Sequence, residues 1–398
     1  MDSIFFYENS EHSAGSGKGA LQKLKVAVQP NFSVKGWPTE AGSVALAGFK
    51  ALEDAPVVER LSGAGAALIG STAMSEFGFG LKGSCAGAAV EKKSADVELI
   101  LDIAGEARLS AAREGICGFK PSYGLIPRLG LVGLIPTMET VGILAHEIAF
   151  IRDILQTIAG PDERDFSLPD EKIPDLSFQD IDPANTALGI LSDVVNGLPP
   201  EERGAFNKLC EALKQDGFPI KEISFPDFSQ FLLVHQIVGS VEASSCLGRY
   251  DSVRYGQRVP GAKNWNDMYL QSRGAAFGTL LKSFLFQGAF FQFEKYGAYE
   301  DACRLRARLV TQMQSLDPMA DALILPTVNH AASHRTGSLI EMYAQFACTA
   351  FANVTGRPAL HLRAGNGIGF QLSAKRLDDG RLLSLGRYLL SHRQGGKS

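Results

Sequence analysis

Ser84 and Cys85, in the run Gly83-Ser84-Cys85-Ala86-Gly87, set a hydroxyl beside a thiol in a turn of small residues, where either could serve as a nucleophile. A cysteine hydrolase needs a histidine base, and no sequence pattern brings one to Cys85, so the thiol reads as a packing residue. His330 and His334, four residues apart, would share a helix face and could hold a metal. They read as ordinary surface histidines, and no metal site is assigned. Gly15-Ser16-Gly17-Lys18-Gly19 hints at a phosphate loop. It lacks the first glycine at the required spacing, no apolar strand precedes it, and Gly19 stands where Ser or Thr should follow the lysine, so the run reads as a flexible segment.

The body that must position such groups is large and ordinary in composition. Its 398 residues are 45% hydrophobic and 21% charged, enough to bury a sizeable core and too apolar for disorder. A net charge of -4 argues against broad electrostatic capture of nucleic acid. The six cysteines form no CxxC pair, which suggests neither a disulfide framework nor a structural zinc, and favours a reducing compartment. The opening Met1-Asp2-Ser3-Ile4-Phe5-Phe6 lacks the basic and long apolar regions of a secretory signal, and no uninterrupted apolar run is long enough to span a bilayer. A cytoplasmic protein is expected.

Along the chain, strand and helix patterns alternate. Leu24 to Val28 reads as a short strand; Asp54 as an N-cap, with Pro56 in the first turn, opens a helix that Gly63 and Gly65 stop. Ala66 to Ile69 is apolar throughout, as suits a strand covered on both faces, and Asp96 to Ile103 reads as another strand. His146 to Ile158 has apolar residues at helical spacing and is closed by Gly160-Pro161. Residues 161–200, rich in Asp, Pro and Asn, read as a surface connection. Beyond it Leu188 to Leu191 and Phe218 to Ile223 look like strands around a helix from Glu201 to Gln215. The pattern predicts one layered α/β domain over residues 21–390, between a flexible segment at 1–20 and a flexible tail at 391–398.

Several stretches carry a family resemblance. Gly70-Ser71-Thr72-Ala73-Met74-Ser75-Glu76-Phe77-Gly78-Phe79-Gly80 and Gly118-Phe119-Lys120-Pro121-Ser122-Tyr123-Gly124 resemble motifs of the amidase signature family. Glu242 to Asp251 and Val253-Arg254-Tyr255-Gly256 are similar, within that family, to the A-type component of glutamyl-tRNA amidotransferases. So are Leu325-Pro326-Thr327, Gly356-Arg357-Pro358-Ala359 and Gly367 to Leu372. The matches keep their order from about Leu24 to Tyr388. The resemblance implies a three-layer α/β/α sandwich around a large mixed sheet.

It also implies a catalytic lysine, a cis-peptide serine and a nucleophilic serine, and here the chain departs from the pattern. Gln29 stands where the lysine belongs, and a glutamine amide cannot take up a proton at neutral pH. Lys35, nearby, corresponds to a second basic residue in the resembling sequences. Counting back from Gly118 places Glu106 at the nucleophilic serine, with Asp102, Gly105 and Arg108 in register. Ala104 and Ile103 replace motif positions, so the amides that would hold an oxyanion are expected to be lost. Ser110 lies too far along to replace the nucleophile. The serine-rich loop is shortened, and either Ser84 or Cys85 could hold the cis position. Of the two groups that would grip an amino-acid substrate, Arg306 is retained and reads as a solvated helix arginine, while Phe346 stands at the aspartate.

The expectation is a catalytically inactive amidase-fold protein acting through a partner or ligand, with no cofactor. B- or C-type amidotransferase subunits, or a second copy in a homo-oligomer, are the partners the resemblance implies. The alternative is a working amidase or glutamine-dependent amidotransferase with a centre rearranged around Ser84, Cys85, Glu106 and Ser110.

Overall fold

The computed structural model describes residues 3–10, 19–328, 338–363 and 369–394. His330, His334, Gly367, Ile368 and the Gly15 to Lys18 part of the glycine-rich run lie outside the described residues.

Among the described residues eleven strands form one sheet: β1 (Phe5–Glu8), β2 (Lys25–Val28), β3 (Ala67–Thr72), β4 (Val97–Asp102), β5 (Cys117–Lys120), β6 (Thr140–Ala145), β7 (Leu188–Leu191), β8 (Ile220–Ile223), β9 (Ala322–Pro326), β10 (Ala359–Leu362) and β11 (Phe370–Ser373). Their order across the sheet is β1-β3-β2-β4-β6-β5-β10-β11-β9-β7-β8. The sheet is mixed. β2 runs parallel to β3 and β4, and β7 parallel to β8 and β9. The six residues of β4 and the six of β6 are all buried, as expected of strands covered on both faces.

Alternation along the strands feeds two large apolar cores on opposite sides of the sheet, with a smaller third cluster around Ala27, Ile100 and Leu144. Ile324 and Leu360 join one, shared with the helices Pro56–Gly63, Ile148–Ile158 and Pro200–Gln215. Leu323, Leu325 and Ala359 join the other, with the helices Gln230–Cys246, Thr279–Phe293, Tyr296–Gln314 and Ala350–Thr355. The result is a three-layer α/β/α sandwich. The helical stretch Pro226–Arg249 is long and apolar enough to cross a membrane, but half of its most apolar part is buried inside the protein, and Phe231, Val234 and Val238 join this second core.

Three local expectations need correction. The segment 1–20 contributes an edge strand: β1 pairs antiparallel with β3, Phe5 opposite Thr72 and Glu8 opposite Gly70, and Tyr7 packs against Trp37 with ring centroids 5.0 Å apart. Four residues of half-buried alternation are too short a signal to read without their partner strand. The helix Pro56–Gly63 is capped by Ala55, because the Asp54 side chain turns away to accept the Lys35 N–H at 2.7 Å. At the far end, the helix Asp379–Gln394 runs through the first residues assigned to a tail.

Candidate functional site

The positions that matter lie where β2 and β4 end. Gln29 follows β2, is 3% exposed, and is tied to β4 twice: its N–H donates to the Leu99 carbonyl and its side-chain Oε1 accepts the Leu101 N–H, both at 3.0 Å. A group so held is a spacer between strands and not a proton carrier. Lys35 is exposed, so it brings no ammonium to this point.

After β4 the chain turns through Gly105, whose φ of +135° suits only glycine and whose missing side chain leaves room for Thr349. The helix Glu106–Glu114 starts there. The Glu106 side chain folds back on the turn, and its Oε2 accepts three successive backbone N–H groups, from Ile103 at 2.7 Å, Ala104 at 2.8 Å and Gly105 at 3.1 Å. Three convergent amides at a helix start make an anion-binding nest. The amides expected to be lost through Ile103 and Ala104 are thus presented, because backbone direction is set by the turn and not by those side chains. Their occupant is the protein's own carboxyl.

Glu106 is 4% exposed, and its Oε1 is buried without a hydrogen-bond partner among the described residues. Burial and the neighbouring Asp102 push its carboxyl up to about 8, against the pull of the amide donors. A proton on Oε1 leaves Oε2 free to accept all three N–H groups. Ile103 and Ala104 belong to an apolar cluster that also holds Phe77, Phe79, Tyr343 and Phe346. Phe346, where the resemblance implies an aspartate, is fully buried in it.

Residues that carried no sequence signal hold this turn. His235 donates from Nε2 to the Ile103 carbonyl at 2.9 Å, so its Nδ1 accepts from the Tyr343 hydroxyl at 3.2 Å. Burial lowers His235 to about 4 and keeps it neutral. Thr349 donates to the Ala104 carbonyl at 2.8 Å. Arg108, wholly buried, donates to the Thr349 carbonyl, to Gln371 Oε1 and to Asn353 Oδ1, and reaches Asp102 at 3.4 Å. The two N–H groups of the Asn353 amide are shared among the Asp102 carbonyl, its carboxylate and the Met138 carbonyl. Only the placing of Asp102, Gly105 and Arg108 in register pointed toward this network.

The Ser84-Cys85 turn is braced separately. Glu98 is fully buried in β4 and accepts from the Thr72 hydroxyl at 2.6 Å and the Gly87 N–H at 2.8 Å, linking β3, β4 and the turn. Ser84 Oγ accepts the Ala86 N–H at 3.2 Å, and Cys85 donates its N–H to the Ala73 carbonyl at 2.9 Å. No peptide among the described residues is cis. No hydrogen bond joins Ser84 to Gln29 or Glu106, and Ser110 Oγ is buried in its helix with no partner among the described residues. Arg306 is half-buried and hydrogen-bonded. It donates to the Thr137 hydroxyl and carbonyl, both at 2.8 Å, and to the Val354 carbonyl at 3.2 Å, while Glu242 accepts from the other side of Thr137. Among the described residues no cluster of His, Cys, Asp and Glu could hold a metal ion.

Comparison with known proteins agrees with this architecture. The Amidase family model matches residues 7–87 and 83–383. The A-type component of the glutamyl-tRNA(Gln) amidotransferase of Lactobacillus gasseri is 30% identical over 406 residues, covering 94% of this chain and 84% of the relative. Its counterpart from Natronomonas pharaonis is 31% identical, covering 93% of this chain and 96% of the relative. Among solved structures, the corresponding amidotransferase component from Thermotoga maritima superposes with a TM-score of 0.76 at 18% identity, over 97% of this chain and 86% of that one. The 6-aminohexanoate cyclic dimer hydrolase does so with a TM-score of 0.77 at 19% identity, over 98% and 89%. The chain belongs to the amidase family.

Proposed function

We propose that this protein is a catalytically silent member of its family, acting by binding a partner or ligand. The observation that carries the reading is the Glu106 carboxyl seated on the Ile103, Ala104 and Gly105 amides. Amide hydrolysis by a serine needs an activated hydroxyl and, beside it, vacant donors for the developing oxyanion. In this chain a carboxyl replaces the hydroxyl and fills the donors, and at the lysine position Gln29 supplies an amide already bound to β4. Losing an oxyanion donor alone costs on the order of 10²–10³ in rate, and here the nucleophile and its base are missing as well. The names of the relatives describe one subunit of an amidotransferase, which supports a role in assembly with B- or C-type subunits.

The test is ammonia release from glutamine and simple carboxamides by the purified chain, by Cys85→Ala and by Glu106→Ala. Silence in all three is expected, together with co-purification of a B- or C-type subunit. Turnover above background that either substitution abolishes sinks the proposal and favours a rearranged centre.

A further inference from the structure

A second feature is independent of the amidase centre. After the helix Gln230–Cys246 the chain enters a built loop. Arg258 donates to the Ser252 carbonyl at 2.9 Å, Arg273 to the Leu247 carbonyl at 2.9 Å, and Gln257 to the Ala47 carbonyl at 2.6 Å. The buried Tyr250 ring packs on Phe77 at 5.4 Å, and Ser252 takes a positive φ of 68° to close the turn on Tyr255. These ties leave Arg254 and Tyr255 directed outward over a cavity of about 640 Å³ walled on its far side by Ala45 to Phe49.

Two guanidinium groups line that cavity and neither has a carboxylate partner among the described residues. Arg254 lies over the Tyr255 ring, 5.9 Å from its centroid. Arg249 donates to the Cys246 carbonyl and sulfur, which bind one edge of its planar fork. Asp251 accepts the Val253 N–H and faces Arg273, and Glu40 accepts the Gly48 N–H; neither forms an ion pair with Arg249 or Arg254 among the described residues. Tyr255 and Phe49 expose 52% and 42% of their surface at the same opening. Exposed arginines without acidic partners match a phosphate or carboxylate, and half-exposed rings offer faces for a flat group. The volume falls within the range of small-ligand sites, about 300–1,000 Å³.

We propose that this cavity binds a small ligand that joins an anionic group to a planar ring, of the nucleoside monophosphate class, with Arg249 and Arg254 on the anion and Tyr255 or Phe49 against the ring. Isothermal titration calorimetry of the full chain with AMP, adenosine, inorganic phosphate and a short single-stranded oligonucleotide tests it. AMP is expected to bind at one site, more tightly than adenosine or phosphate. Arg254→Ala is expected to weaken AMP by about tenfold or more, the loss of a charge-assisted hydrogen bond. Tyr255→Ala should weaken AMP while leaving phosphate unchanged. Circular dichroism confirms that both variants are folded. The proposal is overturned by absence of AMP binding, by AMP binding that neither variant changes, by phosphate binding as tightly as AMP, or by the oligonucleotide binding more tightly than AMP.

Discussion

Glu98 is the residue whose surroundings make the sharpest statement about pH. Burial pushes its carboxyl up from the ordinary 4.5 to about 7, so in the folded chain it carries a proton that the unfolded chain has already released. The folded state therefore binds more protons between pH 4.5 and 7, and this group's contribution to stability falls as pH rises through that window and is level above it. Glu98→Gln keeps the shape and an acceptor for the Thr72 hydroxyl while removing the titration. Urea unfolding from pH 4.5 to 8 should show the variant gaining on the parent by up to about 3 kcal/mol. Parallel curves would show that Glu98 is ionised in the fold. Substitutions at Gln29 and Glu106 were legible in the sequence because side-chain identity is what a sequence records. The occupied nest was not, since it depends on where three backbone N–H groups point.

At the scale of elements, periodic patterns gave some of the strands and helices to within a few residues, as for Ile148–Ile158, whose buried Ile148, Ile151, Ile154, Leu155 and Ile158 recur at helical spacing, while the helices Gln230–Cys246, Thr279–Phe293 and Tyr296–Gln314 carry no such reading. What sequence periodicity does not contain is which helices touch. The helices Gln230–Cys246 and Thr279–Phe293 meet at Gly288, where an added methyl would sit 1.9 Å from the Ser240 carbonyl oxygen and 2.8 Å from Ser244 Cβ. Helix propensity alone favours Gly288→Ala by about 1 kcal/mol. Backbone contact at the crossing reverses the sign, because the two helices must move apart, a strain of about 1–3 kcal/mol. Chemical denaturation of Gly288→Ala is expected to show net destabilisation. Unchanged or higher stability would mean that the crossing is looser than the structure has it.

For the whole molecule, the question is whether so wide a sheet unfolds as one body. Its two halves join at β5 and β10, where only Gly118, Phe119 and Lys120 pair with His361, Leu360 and Ala359. Three residue pairs make a seam as narrow as those between β2 and β4 or β7 and β9, yet polar ties cross it on both faces. Arg108, on the helix after β4, holds Thr349, Asn353 and Gln371 from the other half; Asp379 accepts from the Ser122 N–H and hydroxyl; Arg306 grips Thr137. Separating the halves leaves the buried Arg108 guanidinium without its three acceptors across the seam, at about 1.5–3 kcal/mol for each hydrogen bond to a charged group. The seam should therefore be among the last contacts to open and not the first. With Trp265→Phe, the chain's two tryptophans reduce to Trp37, which packs in the β1 to β6 half. Its fluorescence in rising urea reports that half, while far-UV circular dichroism reports the helices of both. Coincident midpoints are expected of a single cooperative unit. A fluorescence transition displaced from the helical one would divide the chain at the β5–β10 seam and refute the single-domain reading.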